Sequence, residues 1–308
     1  MADTVTDSGP KSKKNANPTI GFIGAGLFGK GLALALATRG FQVVATHSRS
    51  LSSAQDLARR IPCCRVCTTS QELADAVDLV FITTPDSVIS QVAAEVNWRP
   101  DQGVTHCCGA ASTSILECAS LQGAAVGAFH PFQTFSGLAD GEDAAKRLSG
   151  VTFAVSGSGW LEGFLWELAR ELGGRPVDIP DDCRPLYHAA AVMACGHLAA
   201  LMQASVDVWQ TMGFTQDQAL EALYPLSRTT LDAVAGSGGE ASITGPVVRG
   251  DIDTVRAHLE ALFNNLPDLA PLYGALVAAS LPLAANRGVG PGEITAMQEL
   301  IDHYSGTQ

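Results

Sequence analysis

The first 180 residues alternate short apolar stretches with segments in which apolar residues recur every three or four positions. Short apolar runs between turn residues are typical of buried strands, and the longer periodic segments are typical of helices. Alternation of this kind predicts a parallel sheet with crossover helices. The predicted strands cover residues 19–23, 42–46, 65–68, 79–83, 104–108, 125–129, 151–155 and 175–179.

The rest of the chain shows helical periodicity almost without strand signals. Thr215 is a predicted N-cap, and Pro291 suits the first turn of the last helix. We therefore predict an α/β domain over residues 18–180 and an all-helical domain over residues 181–308, after a disordered leader over residues 1–17. The predicted helices cover residues 186–212, 215–226, 229–235, 251–262, 266–285 and 291–304, with a flexible glycine-rich link at 236–239.

A GxGxxG sequence directly follows the first predicted strand and opens the first helix. Gly24 permits the tight turn, Gly26 lets the backbone approach a pyrophosphate, and Gly29 lets helix and strand pack closely. The alternative is an ordinary strand-to-helix turn. We predict a Rossmann-type domain in which the cofactor is contacted by Gly24, Ala25, Gly26, Leu27, Phe28 and Gly29.

The end of the second predicted strand indicates which dinucleotide binds. NAD-binding domains place an acidic residue about 20 residues after the glycines, whereas this chain has no carboxylate there. Arg49 can pair with a 2′-phosphate, and Ser48 and Ser50 can donate hydrogen bonds to it. An exposed arginine on a loop is the alternative. The sequence therefore favours NADP over NAD.

Two further strand ends are predicted to border the cofactor. Ligands of open parallel sheets bind at the carboxyl ends of the strands. Thr83, Thr84 and Pro85 end one strand, and Gly109 follows another, with small residues that leave room for a nicotinamide ring.

Bulk composition narrows the class of partner. The formal net charge of −12 argues against nucleic acid, because phosphate binding needs clustered basic residues. The most apolar run, residues 189–206, is about as long as a membrane span. It contains His197 and Gln203 and continues into an amphipathic pattern, so a buried helix is favoured. The leader has no secretory signal, and we expect a soluble cytoplasmic protein.

The eight cysteines do not form a zinc-binding pattern. Cys63, Cys64 and Cys67 form a CCxxC, but zinc usually needs a second paired cluster, and none exists. Reduced thiols are favoured over disulfides for a protein of the cytosol. The histidines are scattered, so no metal site is predicted.

With these motifs in view, the sequence resembles a family of predicted oxidoreductases that join a Rossmann-like domain to a helical domain of unknown function. The resemblance covers nearly the whole chain after the leader and implies a homodimer built through the helical domain. The wider group includes pyrroline-carboxylate reductases, ketopantoate reductases and prephenate dehydrogenases, and its fold is similar to 6-phosphogluconate dehydrogenase. The resemblance rests on residues 24–29, 130–135, 186–190 and 243–251, and on His258.

Two departures from the family pattern bear on chemistry. Gly196 and His197 stand where relatives tend to carry an Asn-Tyr pair, which puts substrate specificity in doubt. Ketopantoate reductases of the familiar kind use a lysine of the helical domain, but this chain has no lysine after Lys146. That mechanism therefore does not carry over.

The candidate catalytic residues are two histidines. His130 lies before Pro131 at the end of a strand and is similar to the catalytic histidine of prephenate dehydrogenases. Imidazole is suited to proton exchange near neutral pH. His188 starts the long helix and could face a cleft. For both, a structural histidine bonded to its surroundings is the alternative.

The candidate substrate contacts are spread along the chain. Arg249 could grip a carboxylate bidentately, although an inter-helix salt bridge with Asp251 is an equal alternative. Thr244 lies in the turn that would present Arg249. The remaining candidates are Gln133, Thr134 and Tyr187.

Together these features predict an NADP(H)-dependent reductase that acts on the C=O or C=N bond of a small carboxylated substrate. A 2-keto acid such as ketopantoate is the first candidate, and a cyclic imine is the second. The missing lysine favours imines, since a protonated C=N bond needs less acid catalysis. A non-catalytic NADP-binding sensor is the alternative outside enzymes.

Overall fold

The computed structural model describes residues 17–305. The predicted disordered leader lies outside this range except for its last residue. The described chain divides into two compact units, with the division between Cys195 and Gly196. The last strand ends at Val177, and every later element within the described range is helical.

The first unit contains one eight-stranded sheet, and all eight predicted strands are confirmed. The strand order is β3-β2-β1-β4-β5-β6-β7-β8. Neighbouring strands are parallel except β6 and β7, which run antiparallel. The predicted parallel sheet is therefore confirmed except at this one pair of strands. The strands are β1 Ile20–Ile23, β2 Val43–His47, β3 Arg65–Val66, β4 Leu79–Ile82, β5 Gly103–His106, β6 Ala125–Pro131, β7 Thr152–Gly157 and β8 Arg175–Val177.

Helices connect these strands, and several begin at the polar residues that cap them. Ser50, Thr69 and Asp140 each accept a hydrogen bond from a backbone N–H of the first turn, which satisfies a donor that the helix leaves free. The helices are α1 Leu27–Thr38, α2 Leu51–Arg60, α3 Ser70–Ala76, α4 Ile89–Ala94, α5 Glu117–Leu121, α6 Gly141–Lys146, α7 Trp160–Glu171 and α8 Arg184–Val192.

A line of aromatic rings fixes the centre of the sheet. Phe22 stacks on Phe81 at 5.2 Å between ring centroids, and Phe129 stacks on Phe153 at 4.7 Å. Phe81 meets Phe129 edge to face at 6.0 Å. All four rings are fully buried, and aromatic pairs of this geometry add to the burial energy. The carboxyl ends of β1, β4 and β6 are therefore held in a rigid frame.

The second unit is helical and has its own core. Val255, Leu259 and Met297 are fully buried and pack with Val277 and Leu281. The helices are α9 Leu198–Thr211, α10 Gln216–Ser237, α11 Gly239–Ser242, α12 Ile252–Asn265, α13 Ala270–Asn286 and α14 Pro291–Ser305.

One helix boundary in this unit was predicted wrongly. The predicted helices 215–226 and 229–235 form the single helix α10, with Pro225 inside it. A proline removes only one hydrogen bond of the helix, and the capping box of Thr215 and Gln218 fixes its start. The predicted link at 236–239 is reduced to Gly238, whose φ of 80° ends α10 before α11.

The long helix that contains the most apolar run is interrupted by a π-helical segment, Met193–His197. The span Asp181–Thr211 and the span Pro267–Asn286 are both long and apolar enough to cross a membrane. Only 11% of the first span's apolar window is buried within the chain, so the prediction of a buried helix is wrong for the single chain. Most of the apolar surface of this span is therefore exposed in the single chain.

Candidate active site

The glycine turn between β1 and α1 has the geometry that its sequence predicts. Gly24 has a φ of 112° and donates its N–H to the carbonyl of His47 at 2.8 Å. A Cβ at Gly24 would stand 2.7 Å from the backbone of Thr83, and one at Gly29 would stand 2.6 Å from the Gly24 carbonyl. Both positions therefore require glycine, because backbone atoms cannot move aside cheaply.

Gly26 differs from its two neighbours in the motif. Its φ is −70°, and a Cβ placed on it would meet nothing within 4 Å. The fold itself does not demand glycine here. Gly26 precedes α1, which has neither a side-chain cap nor an acidic residue in its first turn. Free N–H groups and the positive end of the helix face this open space, which suits a phosphate.

The end of β4 closes the same turn. Thr83 donates its hydroxyl to the Gly24 carbonyl at 2.8 Å, which ties the two strand ends together. The hydroxyl oxygen of Thr84 is buried and has no hydrogen-bond partner among residues 17–305. Pro85 then starts a 3-10 turn. A buried hydroxyl without a partner is costly unless a ligand or water bonds to it, so the residues present fit a bound dinucleotide.

The end of β2 presents hydroxyl and cationic groups. Ser48 is half-buried and accepts from the N–H of Ser50 at 3.3 Å. The Ser50 hydroxyl caps α2, and its oxygen accepts hydrogen bonds from the backbone N–H and the hydroxyl of Ser53. Arg49 is exposed and makes no ion pair within the described range. The first turn of α2 carries no acidic residue.

Replacing Arg49 with alanine tests the predicted 2′-phosphate contact. Loss of one charge-assisted contact, about 1.5–3 kcal/mol, is expected to weaken NADPH binding about 10- to 100-fold. NADH lacks the 2′-phosphate, so its affinity is expected to stay within about twofold. Nicotinamide fluorescence measures both affinities. Arg59→Ala, at the other end of α2, is the matched control. Equal losses of NADPH and NADH affinity in Arg49→Ala would contradict the contact between Arg49 and the 2′-phosphate.

The central part of the candidate site is a convergence of three residues from different elements. A Cβ at Gly109 would stand 2.8 Å from both the Cε1 and Nε2 atoms of His130 and 2.8 Å from Cδ2 of His188. The two imidazole rings lie 6.2 Å apart between centroids. The structure therefore brings Gly109, His130 and His188 together beside the carboxyl ends of β5 and β6, as the sequence predicts for a site at this edge.

His130 has an aromatic partner. Its Nδ1 lies 2.8 Å from the hydroxyl of Tyr187, and Tyr187 also packs against Phe132. Burial, together with the charges of His188 and Arg184, lowers the pKa of His130 to about 4. Burial raises the pKa of Tyr187 to about 12. Both groups are therefore neutral at pH 7.

Sequence reasoning missed two buried polar residues beside these. His106 is fully buried, and burial lowers its pKa to about 4, with the Arg184 charge acting in the same direction. Its Nδ1 accepts the N–H of Cys108 at 3.2 Å, and its Nε2 lies 3.1 Å from the carbonyl of Ser112. These partners suit the neutral tautomer with the proton on Nε2. A histidine inside an apolar strand was the available signal.

Arg184 is the second missed residue. Its side chain is fully buried, and it donates from Nη2 to the hydroxyl of Ser156 at 2.6 Å. Arg184 starts α8 three residues before Tyr187, so both side chains lie on one face of the helix. The only signal in the sequence was a basic residue at the start of an apolar helix.

The buried histidine gives a pH dependence of stability. The folded-state pKa of His106 lies below its unfolded value, so its contribution is present above about pH 6.5 and is lost as the pH falls toward 4. The full shift corresponds to about 3 kcal/mol. Urea unfolding at pH 7.5 and pH 5 is expected to show this loss, and His106→Gln is expected to reduce it. The exposed His197→Gln is the control; an unchanged pH dependence in His106→Gln would contradict the assignment.

Gln133 and Thr134 follow β6 and are engaged in their own turn. The side-chain oxygen of Gln133 accepts the N–H of Thr134 at 2.8 Å, and the Thr134 hydroxyl accepts the N–H of Ser136 at 3.3 Å. Arg147 donates to the Thr134 carbonyl. These contacts shape the segment after His130. Their predicted role in substrate binding stays a prediction.

Thr244 and Arg249 belong to the second unit. Both are exposed, and Arg249 ends the 3-10 turn Val247–Arg249. No ion pair involves Arg249 among residues 17–305, and the carboxylate of Asp251 caps α12. The Nδ1 atom of His258 lies 2.7 Å from the hydroxyl of Tyr273. Within the described chain, no group of three or more His, Cys, Asp or Glu side chains is arranged to hold a metal.

Comparison with known families accounts for both halves of the chain. Residues 2–131 match the Rossmann-like domain, and residues 151–280 match DUF2520, a domain of unknown function. The chain joins a Rossmann-like domain to a DUF2520 domain. This confirms the predicted resemblance. The DUF2520 match begins just before β7, so it includes the last two strands of the sheet. No curated protein matches the chain.

Solved structures share this fold. TM1727 from Thermotoga maritima is 25% identical with a TM-score of 0.68, and the match covers 87% of this chain and 99% of that one. BF3122 from Bacteroides fragilis, provisionally assigned as an NADP oxidoreductase, is 24% identical with a TM-score of 0.68 over 86% and 98%. A reductive aminase from Aspergillus terreus, solved with NADPH and ethyl-5-oxohexanoate, is 14% identical with a TM-score of 0.59 over 94% of each chain. These likenesses establish the fold.

Proposed function

We propose that this protein is an NADP(H)-dependent reductase that acts on the C=N or C=O bond of a small carboxylated substrate. The observation that carries the proposal is the convergence of His130 and His188 on Gly109, with Tyr187 bonded to His130, at the same sheet edge as the glycine turn.

The residues at the glycine turn would hold the cofactor. The N-terminus of α1 would receive the pyrophosphate beside Gly26, and the Thr84 hydroxyl would bond to the nucleotide. Arg49 would pair with the 2′-phosphate, which is why we assign NADP(H) rather than NAD(H). The NADP assignment of BF3122 and the NADPH bound to the A. terreus enzyme support this choice. When bound, NADPH supplies a hydride for the substrate carbon.

The protonation states at the site favour a C=N substrate. His130 and Tyr187 are both neutral at pH 7, so neither is a strong proton donor. A protonated imine already carries its proton and needs only orientation and exclusion of water. The reductive amination carried out by the A. terreus enzyme is chemistry of the same kind. A 2-keto acid such as ketopantoate is the second candidate, for which the phenol of Tyr187, bonded to His130, would be the donor.

A paired substrate screen tests the proposal. Oxidation of NADPH is followed at 340 nm with 1-pyrroline-2-carboxylate as the cyclic imine and with ketopantoate as the keto acid. Turnover of the imine at least about tenfold faster in kcat/KM is expected from the neutral site. Faster turnover of ketopantoate would select the second candidate. NADPH binding without turnover of any keto acid or imine would favour a non-catalytic sensor.

The proposal includes a homodimer of a soluble, cytoplasmic protein, with the second copy covering the apolar surface of the helical unit. A membrane would be the other way to cover so large an apolar surface. The exposed apolar side chains of this unit are Leu201, Met212, Phe214, Leu220, Tyr224, Leu226, Leu231, Val234, Phe263, Leu272 and Leu276.

Light scattering after gel filtration tests the dimer. The protein is expected to elute without detergent at twice the chain mass of 32.0 kDa. Leu226→Arg is expected to shift it toward the monomer, because a charge in an apolar interface is costly. Leu121→Arg, on α5 of the first unit, is the control. A wild-type monomer, or aggregation relieved only by detergent, would contradict the proposal.

A further inference from the structure

The guanidinium of Arg184 is buried but incompletely paired. Its Nη1 has no hydrogen-bond partner among residues 17–305. Its Nε forms an ion pair with Oδ1 of Asp181 at 3.5 Å but has no hydrogen-bond partner among residues 17–305. Only Nη2 is well bonded, to Ser156. Arginine stays charged even where burial lowers its pKa. Burying a charge with so few partners costs folding free energy, and an anion that bonds to it would offset that cost.

The same guanidinium lies at the candidate active site. Ser156 pairs with Ala128 in β6, two residues before His130. The charge of Arg184 lowers the pKa of both His130 and His106, which places the three groups within electrostatic reach of one another. Around it stand two neutral histidines and the neutral Tyr187. Among the described residues Asp181 is the carboxylate within ion-pair distance of Arg184, while Asp178 and Asp86 act on these groups from farther away.

Asp181 is a weak and movable counter-ion. Its side chain is 52% exposed, whereas that of Arg184 is fully buried. Asp181 lies in a short 3-10 turn, Asp181–Cys183, whose three residues are all exposed. Exposed carboxylates gain little from such a pair. A ligand carboxylate could take the place of the Asp181 carboxylate at Nε, or bond to the unpartnered N–H groups of Nη1.

We infer that Arg184 is the anion-binding group of this active site, and that Asp181 occupies the place of a substrate carboxylate until the substrate binds. This inference rests on the proposed function and names its substrate class as carboxylates. It assigns the binding of the substrate carboxylate, which the sequence predicted for Arg249, to Arg184 in the first unit. Arg184 is thereby a specificity-determining residue that holds the reacting bond beside His130.

Binding of a carboxylate here also changes the acid at the site. The charge of Arg184 is one cause of the low pKa of His130. A bound anion offsets that charge and so removes one of the causes that lower the pKa of His130, while burial and the charge of His188 remain.

Isothermal titration of the full-length protein with 2-oxopentanoate, before and after saturation with NADP⁺, tests this inference. The uncharged 2-pentanone is the matched probe. We expect 2-oxopentanoate to bind at least about tenfold more tightly than 2-pentanone. Asp181→Asn removes the competing carboxylate, so it is expected to tighten 2-oxopentanoate binding about two- to fivefold. Asp182→Asn, the adjacent exposed carboxylate, is the control and is expected to change nothing.

Arg184→Gln is expected to abolish the preference for the carboxylate. If this variant does not fold, the comparison of Asp181→Asn with Asp182→Asn decides. Equal affinities in wild type, Asp181→Asn and Asp182→Asn, or equal binding of the two probes, would overturn the inference. Failure of NADP⁺ to bind would instead contradict the proposed function, and the titration without nucleotide would still decide the role of Arg184.

Discussion

Replacing Gly26 with alanine is expected to weaken NADPH binding at least about 100-fold, about 2.7 kcal/mol, while the fold stays intact. A Cβ on Gly26 meets nothing within 4 Å, and its φ of −70° suits any residue. The fold therefore tolerates the methyl group. The pyrophosphate would have to approach through the same space, so the loss falls on the cofactor alone. Fluorescence titration measures the affinity, and thermal unfolding measures the stability.

Two other glycines make this prediction specific. Gly163→Ala, inside α7, also meets nothing within 4 Å and is expected to leave the affinity unchanged and to raise stability by up to about 1 kcal/mol. Gly24→Ala has a φ of 112° and would press on the Thr83 backbone, so it is expected to lower stability as well as affinity. Unchanged NADPH affinity in a folded Gly26→Ala protein would show that the open space beside α1 does not receive the pyrophosphate.

His130→Ala is expected to lower kcat about 100- to 1,000-fold and leave NADPH affinity within about twofold. The substitution removes the group that orients the Tyr187 hydroxyl at 2.8 Å. His130 lies beside Gly109, where the nicotinamide is predicted, and not at the glycine turn that would hold the pyrophosphate. Most of the cofactor affinity is therefore expected to survive. Single-turnover oxidation of NADPH, with whichever substrate the screen identifies, measures the chemical step.

The second unit contains a matched control for this substitution. His258 pairs with Tyr273 at 2.7 Å, a bond nearly identical to that of His130 with Tyr187. His258→Ala therefore removes a His–Tyr bond of similar length within the second unit and is expected to leave kcat unchanged. Equal turnover in His130→Ala and wild type would show that His130 does not take part in the chemical step.

The sequence predicted the features that depend on local pattern. Strand positions follow from short apolar runs, and the glycine turn follows from steric demands on Gly24 and Gly29 that are visible in their spacing. His130 and Gly109 were each predicted at the carboxyl end of a strand, and strand ends of one sheet share an edge. These inferences need only local sequence and general topology.

Burial and pairing across the fold could not be predicted in the same way. The low pKa of His130 depends on what covers it, and the incomplete pairing of Arg184 depends on the distance to Asp181. Neither leaves a periodic signal in the sequence. The antiparallel β7 is another case, because the length and polarity of a strand do not encode its direction. The helix α10 continues through Pro225 for a similar reason, since tertiary context outweighs local propensity.

The central claim is that the glycine turn binds NADPH. Titration of the purified protein with NADPH and with NADH, followed by nicotinamide fluorescence, tests it most directly. The account predicts saturable binding of NADPH, at least about tenfold tighter than that of NADH because of the 2′-phosphate. Absence of binding by either nucleotide would contradict the account, and the glycine turn would then be only a structural connection between β1 and α1.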